Sequence, residues 1–113
     1  MRVEVDSLSA ETDVVYVVGD VSRAEGSRLH RLAARSASTG RRVLVDLTHV
    51  SFLDSAGVSA VTALWRALRA DRTPAAFVVP DDSPAARTLG IARVTSMLGL
   101  VATVEQGLHA VRA

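Results

Sequence analysis

VLVDLTHVSFLDSAGVSAVTALWRALRA, residues 43–70, joins an apolar strand-like run to a long segment of helical periodicity. Val43 to Leu47 is apolar on both sides of the two-residue alternation, which predicts a strand covered on both faces. Thr48 to Leu53 is expected to be a short link. From about Ser55 to Ala70, the residues Val58, Val61, Leu64, Trp65 and Leu68 recur at helical spacing and define one buried face. A buried strand leading through a corner into a long amphipathic helix is the repeating unit of an α/β domain. In such folds the loops at the carboxyl ends of the strands commonly carry the functional groups. Here that corner is Asp54-Ser55-Ala56-Gly57.

Working outward towards the N-terminus, Ser36 to Gly40 is small and polar and marks a helix end. The helix before it starts at Ser22-Arg23-Ala24-Glu25, which has capping-box spacing, with Ser22 as N-cap and Glu25 three residues on. Leu29, Leu32 and Ala33 form its apolar stripe. Val14 to Val18 is β-branched and apolar and reads as a strand ended by Gly19. Val3 to Val5 is expected to be a short first strand, with Asp6 to Asp13 as the turn between the two.

Towards the C-terminus, Ala76 to Val79 is a strand ended by Pro80. Ser83-Pro84 reads as an N-cap followed by proline at the first helical position, with a short helix to about Leu89. Val101 to Val104 is expected to be a final short strand. Glu105 to Arg112 is expected to be a terminal helix with Leu108 and Val111 facing inward. The order is β-β-α-β-α-β-α-β-α, which implies one α/β domain over residues 1–113 with a mixed, mostly parallel sheet covered by helices.

Bulk properties narrow the function classes. A length of 113 residues suits one domain. Hydrophobic residues make up 49% of the chain but aromatic ones only 4%, so the core is built from Val, Leu and Ala. The formal charge of +1 argues against phosphate-backbone binding as the main role, so nucleic acid is not an expected partner. All basic residues are Arg, and the absence of Lys removes every reaction that needs a Lys amine. With no Cys there are no disulfides and no thiolate metal sites. No apolar run approaches the roughly 18 residues of a membrane span, and the N-terminus lacks a signal-peptide pattern. A cytoplasmic protein, not embedded in a membrane and monomeric when free, is the expectation.

The corner has two readings. Asp54 or Ser55 is a common N-cap type and can be no more than that. A helix N-terminus also presents unpaired N–H groups and partial positive charge, where a phosphate on Ser55 would be stabilised. Gly57 inside the helix costs about 0.5–1 kcal/mol relative to Ala, and close approach of a partner chain is one reason for it. Hydrolysis is disfavoured, because Leu53 stands where a Gly-x-Ser-x-Gly elbow needs its first glycine. Asp46, Asp81 and Asp82 suggest a phosphoaspartate receiver, but that chemistry relies on a Lys. His30, His49 and His109 are too scattered for a metal site, and no glycine-rich nucleotide loop is present. No catalytic residue, metal or cofactor is therefore expected. Trp65 is assigned to the core, and Arg66, Arg69 and Arg72 to the solvated side of its helix.

Residues 43–58 resemble the central strand, link and Asp-Ser-[Ser/Ala]-Gly phosphorylation motif of the STAS domain, and within it of the bacterial anti-sigma factor antagonists. Gly19-Asp20-Val21 is similar to the family's Gly-[Glu/Asp]-Leu segment. Leu89-Gly90-Ile91 through Gly99-Leu100 resembles its third helix and the turn into the last strand. The resemblance implies a non-enzymatic partner switch. The unphosphorylated domain binds an anti-sigma factor that is also a serine kinase, which frees a sigma factor. Phosphorylation of Ser55 ends the complex, and a phosphatase resets it. The partner-binding set carried over is Asp20, Ser22, Asp54, Ser55, Ala56, Gly57 and Ser59. The family often has Asp at the position of Ser22; Ser still caps a helix, but a charged contact to the kinase is absent. The alternatives are a STAS subunit docking on an ATPase of a transport or lipid-trafficking complex, and a stand-alone ligand sensor.

Overall fold

The computed structural model describes residues 2–91 and 100–112. Its elements are β1 (Arg2–Ser7), β2 (Thr12–Val21), α1 (Arg23–Ser38), β3 (Arg42–Leu53), α2 (Ser55–Ala70), β4 (Ala75–Val78), α3 (Pro84–Ile91) and α4 (Val104–Arg112). The strands lie side by side in chain order. β1 and β2 form an antiparallel hairpin, while β2–β3 and β3–β4 are parallel. The sheet is thus mixed and mostly parallel, as expected.

Most of the core lies on one face of the sheet. Val15, Val17, Val43, Val45, Leu47 and Phe77 meet Leu29 and Ala33 of α1, Val61, Leu64 and Leu68 of α2, and Leu89 of α3. Both parallel crossovers step the same way across the sheet, so α1 and α2 share a face. The other face carries a smaller cluster, Val14, Leu44 and Ala76 against Val111 of α4, with Leu108 partly buried beside it. Phe77 is the one aromatic among the fully buried side chains. Aliphatic residues supply the rest of the core, each buried side chain adding about 1.5–3 kcal/mol of hydrophobic transfer.

The helix over Ser55–Ala70 forms with the bounds its periodicity predicts. The flanking strands run further than expected. Gly19 does not end β2; it sits within it at φ 96°, a left-handed conformation that suits glycine. The segment 48–53 is not a link but the second half of β3, with His49, Val50, Phe52 and Leu53 paired to Val18, Gly19, Asp20 and Val21. The register shifts between Tyr16 and Val18 and between Gly19 and Asp20. Bulges of this kind break the two-residue alternation from which a strand is read. The first hairpin is tighter than expected, with only residues 8–11 between β1 and β2.

Near the C-terminus the expected strand at 101–104 is reduced to one bridge, Val101 beside Val78. Val104 already belongs to α4. Thr103 Oγ1 accepts from the Gln106 amide at 3.1 Å, and Gln106 Oε1 accepts from the Ala102 amide at 2.9 Å, a capping arrangement that starts the helix early. Ser83 caps α3 as expected, its Oγ accepting from the Ala86 amide at 3.1 Å. The stretch compared above to a third helix and its turn lies outside the described residues for 92–99. Trp65 is half-buried at the margin of the core, with the Arg69 guanidinium 5.1 Å over its ring.

Candidate functional site

Val21 and Leu53, the last residues of β2 and β3, are register partners. The chain therefore leaves the sheet twice at the same end of two neighbouring central strands. Ser22 caps α1 and Asp54 caps α2, side by side. The two caps differ in chemistry. Asp54 Oδ1 accepts from the Gly57 amide at 2.7 Å, satisfying one of the free donors of the first turn. The Ser22 hydroxyl instead donates to the Glu25 carboxylate and makes no bond to the α1 backbone. That hydrogen bond holds the Glu25 carboxyl below the usual carboxylate range, with a backbone hydrogen bond adding to the effect.

Ser55 is the first residue of α2 and is exposed. Its carbonyl accepts from Ser59 Oγ at 3.1 Å, one turn along. Ala56 is half-buried and Ser59 exposed. Gly57 is buried, and its lack of a side chain serves the fold. A Cβ there would overlap the Val21 carbonyl oxygen and come within 2.6 Å of Leu53 Cδ1. The element that approaches Gly57 closely is the end of β2, which replaces the expectation that glycine makes room there for a partner chain.

Asp20 is exposed and is the register partner of Phe52. Val21 and Leu53 join the core under α1 and α2, so Asp20 and Phe52 turn to the opposite face of the sheet. Ser22, Asp54, Ser55 and Ala56 thus form one corner, Ser59 lies one turn down its helix, and Asp20 borders the corner from behind. Phe52 was passed over in the sequence because it stood in a supposed link. It is 56% exposed, unusual for a large apolar side chain beside a candidate site.

A groove of about 530 Å³ runs from the corner along the seam between α1 and α2, with Ala56 and Ser59 at one side and His30 and Arg31 at the other. His30 is half-buried on this groove. The sequence signal for it was Gly26. A Cβ on Gly26 would overlap Ala60 Cβ, so this glycine sets how closely the two helices approach. Among the described residues no group of three or more His, Asp or Glu is placed to hold a metal ion. None of their helices is long and apolar enough to cross a membrane.

The structure of the anti-sigma factor antagonist SpoIIAA in its unphosphorylated form matches with a TM-score of 0.70 and 21% identity, covering 99% of each chain. An anti-sigma factor antagonist from Mycobacterium paratuberculosis matches with a TM-score of 0.82 and 20% identity, covering 99% of this chain and 94% of the other. The Bacillus cell fate determinant SpoIIAA in its phosphorylated form matches with a TM-score of 0.65 and 19% identity, over 93% and 95%. At such identities the likeness shows a shared fold. No curated protein sequence gives a significant match. The family model described as "Mlab, STAS domain" matches residues 5–102, nearly the whole chain, and the protein therefore belongs to the STAS domain family.

Proposed function

We propose that this STAS domain is a cytoplasmic anti-sigma factor antagonist, switched by phosphorylation of Ser55. Unphosphorylated, it binds a kinase-type anti-sigma factor through the corner formed by Ser22, Asp54, Ser55 and Ala56, bordered by Asp20 and Ser59. That binding frees the sigma factor. The observation that carries the reading is the exposed Ser55 at the first position of α2, next to a carboxylate pinned by the helix backbone. The likeness to SpoIIAA, a fold known in both an unphosphorylated and a phosphorylated form, supports it.

The chemistry is a phosphoryl transfer. The Ser55 hydroxyl oxygen forms a bond to the γ-phosphorus of ATP as the bridging P–O bond to the β-phosphate breaks. ADP leaves, and the hydroxyl proton passes to a base of the kinase or to solvent. The product carries about −1.5 to −2 charges at neutral pH. In a packed contact beside Asp54 this adds repulsion and desolvation. A loss of about 1.4 kcal/mol is already tenfold in affinity, so the switch needs no refolding. Hydrolysis by a phosphatase restores the hydroxyl.

Incubation with the cognate kinase-type anti-sigma factor and ATP, followed by phosphopeptide mass spectrometry, tests the reading. Modification at Ser55 is expected, and an unmodified Ser55 overturns the switch. Ser22 is the observation that favours a second reading. Its hydroxyl is tied to Glu25 and offers no carboxylate to a kinase. In that reading the same corner docks on an ATPase of a transport or lipid-trafficking complex, with Ser55 as contact surface.

A further inference from the structure

The net charge of +1 conceals a segregation of charge. Across the spans of α1 and α2 the one carboxylate is Glu25, in the first turn of α1. Arg28, Arg31 and Arg35 of α1 and Arg66 and Arg69 of α2 are all exposed. The exposed carboxylates lie outside these two spans, at Glu4, Asp6 and Asp20 on the opposite side of the sheet and at Glu11, Asp71, Asp81, Asp82 and Glu105 in turns and in α4, with Asp71 at the far, C-terminal end of α2. The seam between the two helices thus opens onto a cationic surface.

The shape of that seam is specific as well. Gly26, Ala56, Ala60 and Ala63 form its floor, and His30 and Arg31 form one wall. A groove between two helices, floored by small side chains, accepts the side-chain ridge of a third helix. None of the exposed large apolar side chains described lines this groove: Phe52 turns to the opposite face of the sheet, Leu8 lies in the β1–β2 turn, and Val5 sits beside Leu32 and Arg35 in a separate hollow next to α1. The groove lining therefore offers no large apolar side chain to insert into a lipid layer. A nucleic-acid duplex would touch the Arg rim and leave the groove unfilled.

We propose that the groove receives an amphipathic helix of the protein partner, with small or aliphatic side chains along the floor and carboxylates against Arg31 and its neighbouring arginines. This rests on the partner-switch reading and gives it a charge logic. Ser55 directly precedes Ala56 of the groove lining and lies one turn before Ser59. A phosphate placed there confronts the acidic helix with like charge, and the contact that Arg31 favours is opposed from the end of the same groove.

The test uses the full chain and its cognate kinase-type anti-sigma factor, with affinities from calorimetry and amide shifts from nitrogen-15 spectra. Arg31 is exposed, so Arg31→Glu keeps the fold. The expected result is binding by the wild type, a loss of tenfold or more in Arg31→Glu, weaker binding at higher salt, and shifts over residues 27–31 and 59–63. Wild-type binding with Arg31→Glu unaffected, and shifts confined to 20–22 and 52–56, overturns the groove and leaves the Ser55 reading standing. Absence of wild-type binding overturns both.

Discussion

Gly57 has no space for even a methyl group. The Val21 carbonyl oxygen occupies the position a Cβ would take, so Gly57→Ala must push α2 away from the end of β2. Overpacking of this kind costs about 1–3 kcal/mol. Urea denaturation of Gly57→Ala is expected to show a loss in that range, while Ser55→Ala, at an exposed position two residues earlier, changes little. Nothing in the sequence distinguishes a glycine that serves its own fold from one that serves a partner, because the nearest atoms belong to a strand 36 residues away. The Asp54 cap was legible, since cap chemistry is local. Tyr16 offers a second test at this scale. Burial first, then Asp46 and Asp6, push its phenol above the ordinary value of about 10. The neutral phenol is thus favoured in the fold. Its contribution to stability is complete below the unfolded value and is lost as pH rises through the folded one. Tyr16 is the single tyrosine, so phenolate absorbance near 295 nm reads it directly. Ionisation is expected at a higher pH in the native protein than in denaturant; coincident titrations would count against the partial burial of Tyr16 beside Asp46 and Asp6.

At the scale of elements, Arg41 does more than its place in a loop suggests. Its Nε donates to Asp13 Oδ1 at 2.7 Å, its Nη1 to the Ala10 carbonyl at 2.8 Å, and its Nη2 to Ser7 Oγ at 2.6 Å and the Ser9 carbonyl at 2.7 Å. One guanidinium fork thus holds the β1–β2 turn to the start of β3. Arg41→Ala leaves the buried Asp13 carboxylate without this partner and should cost about 1–3 kcal/mol. Hydrogen exchange is expected to accelerate at the Leu8 amide, which bonds the Thr12 carbonyl in that turn. Unchanged exchange there would show that the turn holds itself. Helix α2 was legible end to end, because a cap and a regular apolar stripe both act within one segment. The far half of β3 was not, since two bulges against β2 destroy its alternation. The early start of α4 was hidden in Thr103-Val104-Glu105-Gln106, a capping signature overlooked beside an apolar run that resembled a strand.

At the level of the whole molecule, the sheet and the two helices packed on it by one core carry Ser55 at the corner where they meet. The fold class was readable because each alternation of strand and helix announces itself locally and chain order settles the rest. The concentration of exposed arginines on α1 and α2 was not, because a net charge sums over a surface that only the fold lays out. In the proposed switch the corner changes charge without changing shape. An anion at the first position of α2 interacts favourably with the helix dipole, by about 0.3–1 kcal/mol. Ser55→Asp should therefore melt at the same temperature as the wild type or a few degrees higher, while losing the partner. A variant that loses both fold and binding would point to a structural role for Ser55 instead. The most direct test of the central claim is the affinity for the kinase-type anti-sigma factor, measured before and after stoichiometric phosphorylation, with the modified residue identified by mass spectrometry. Modification at Ser55 and a fall of at least tenfold are expected. Equal affinities, or modification elsewhere with Ser55 intact, would contradict the claim.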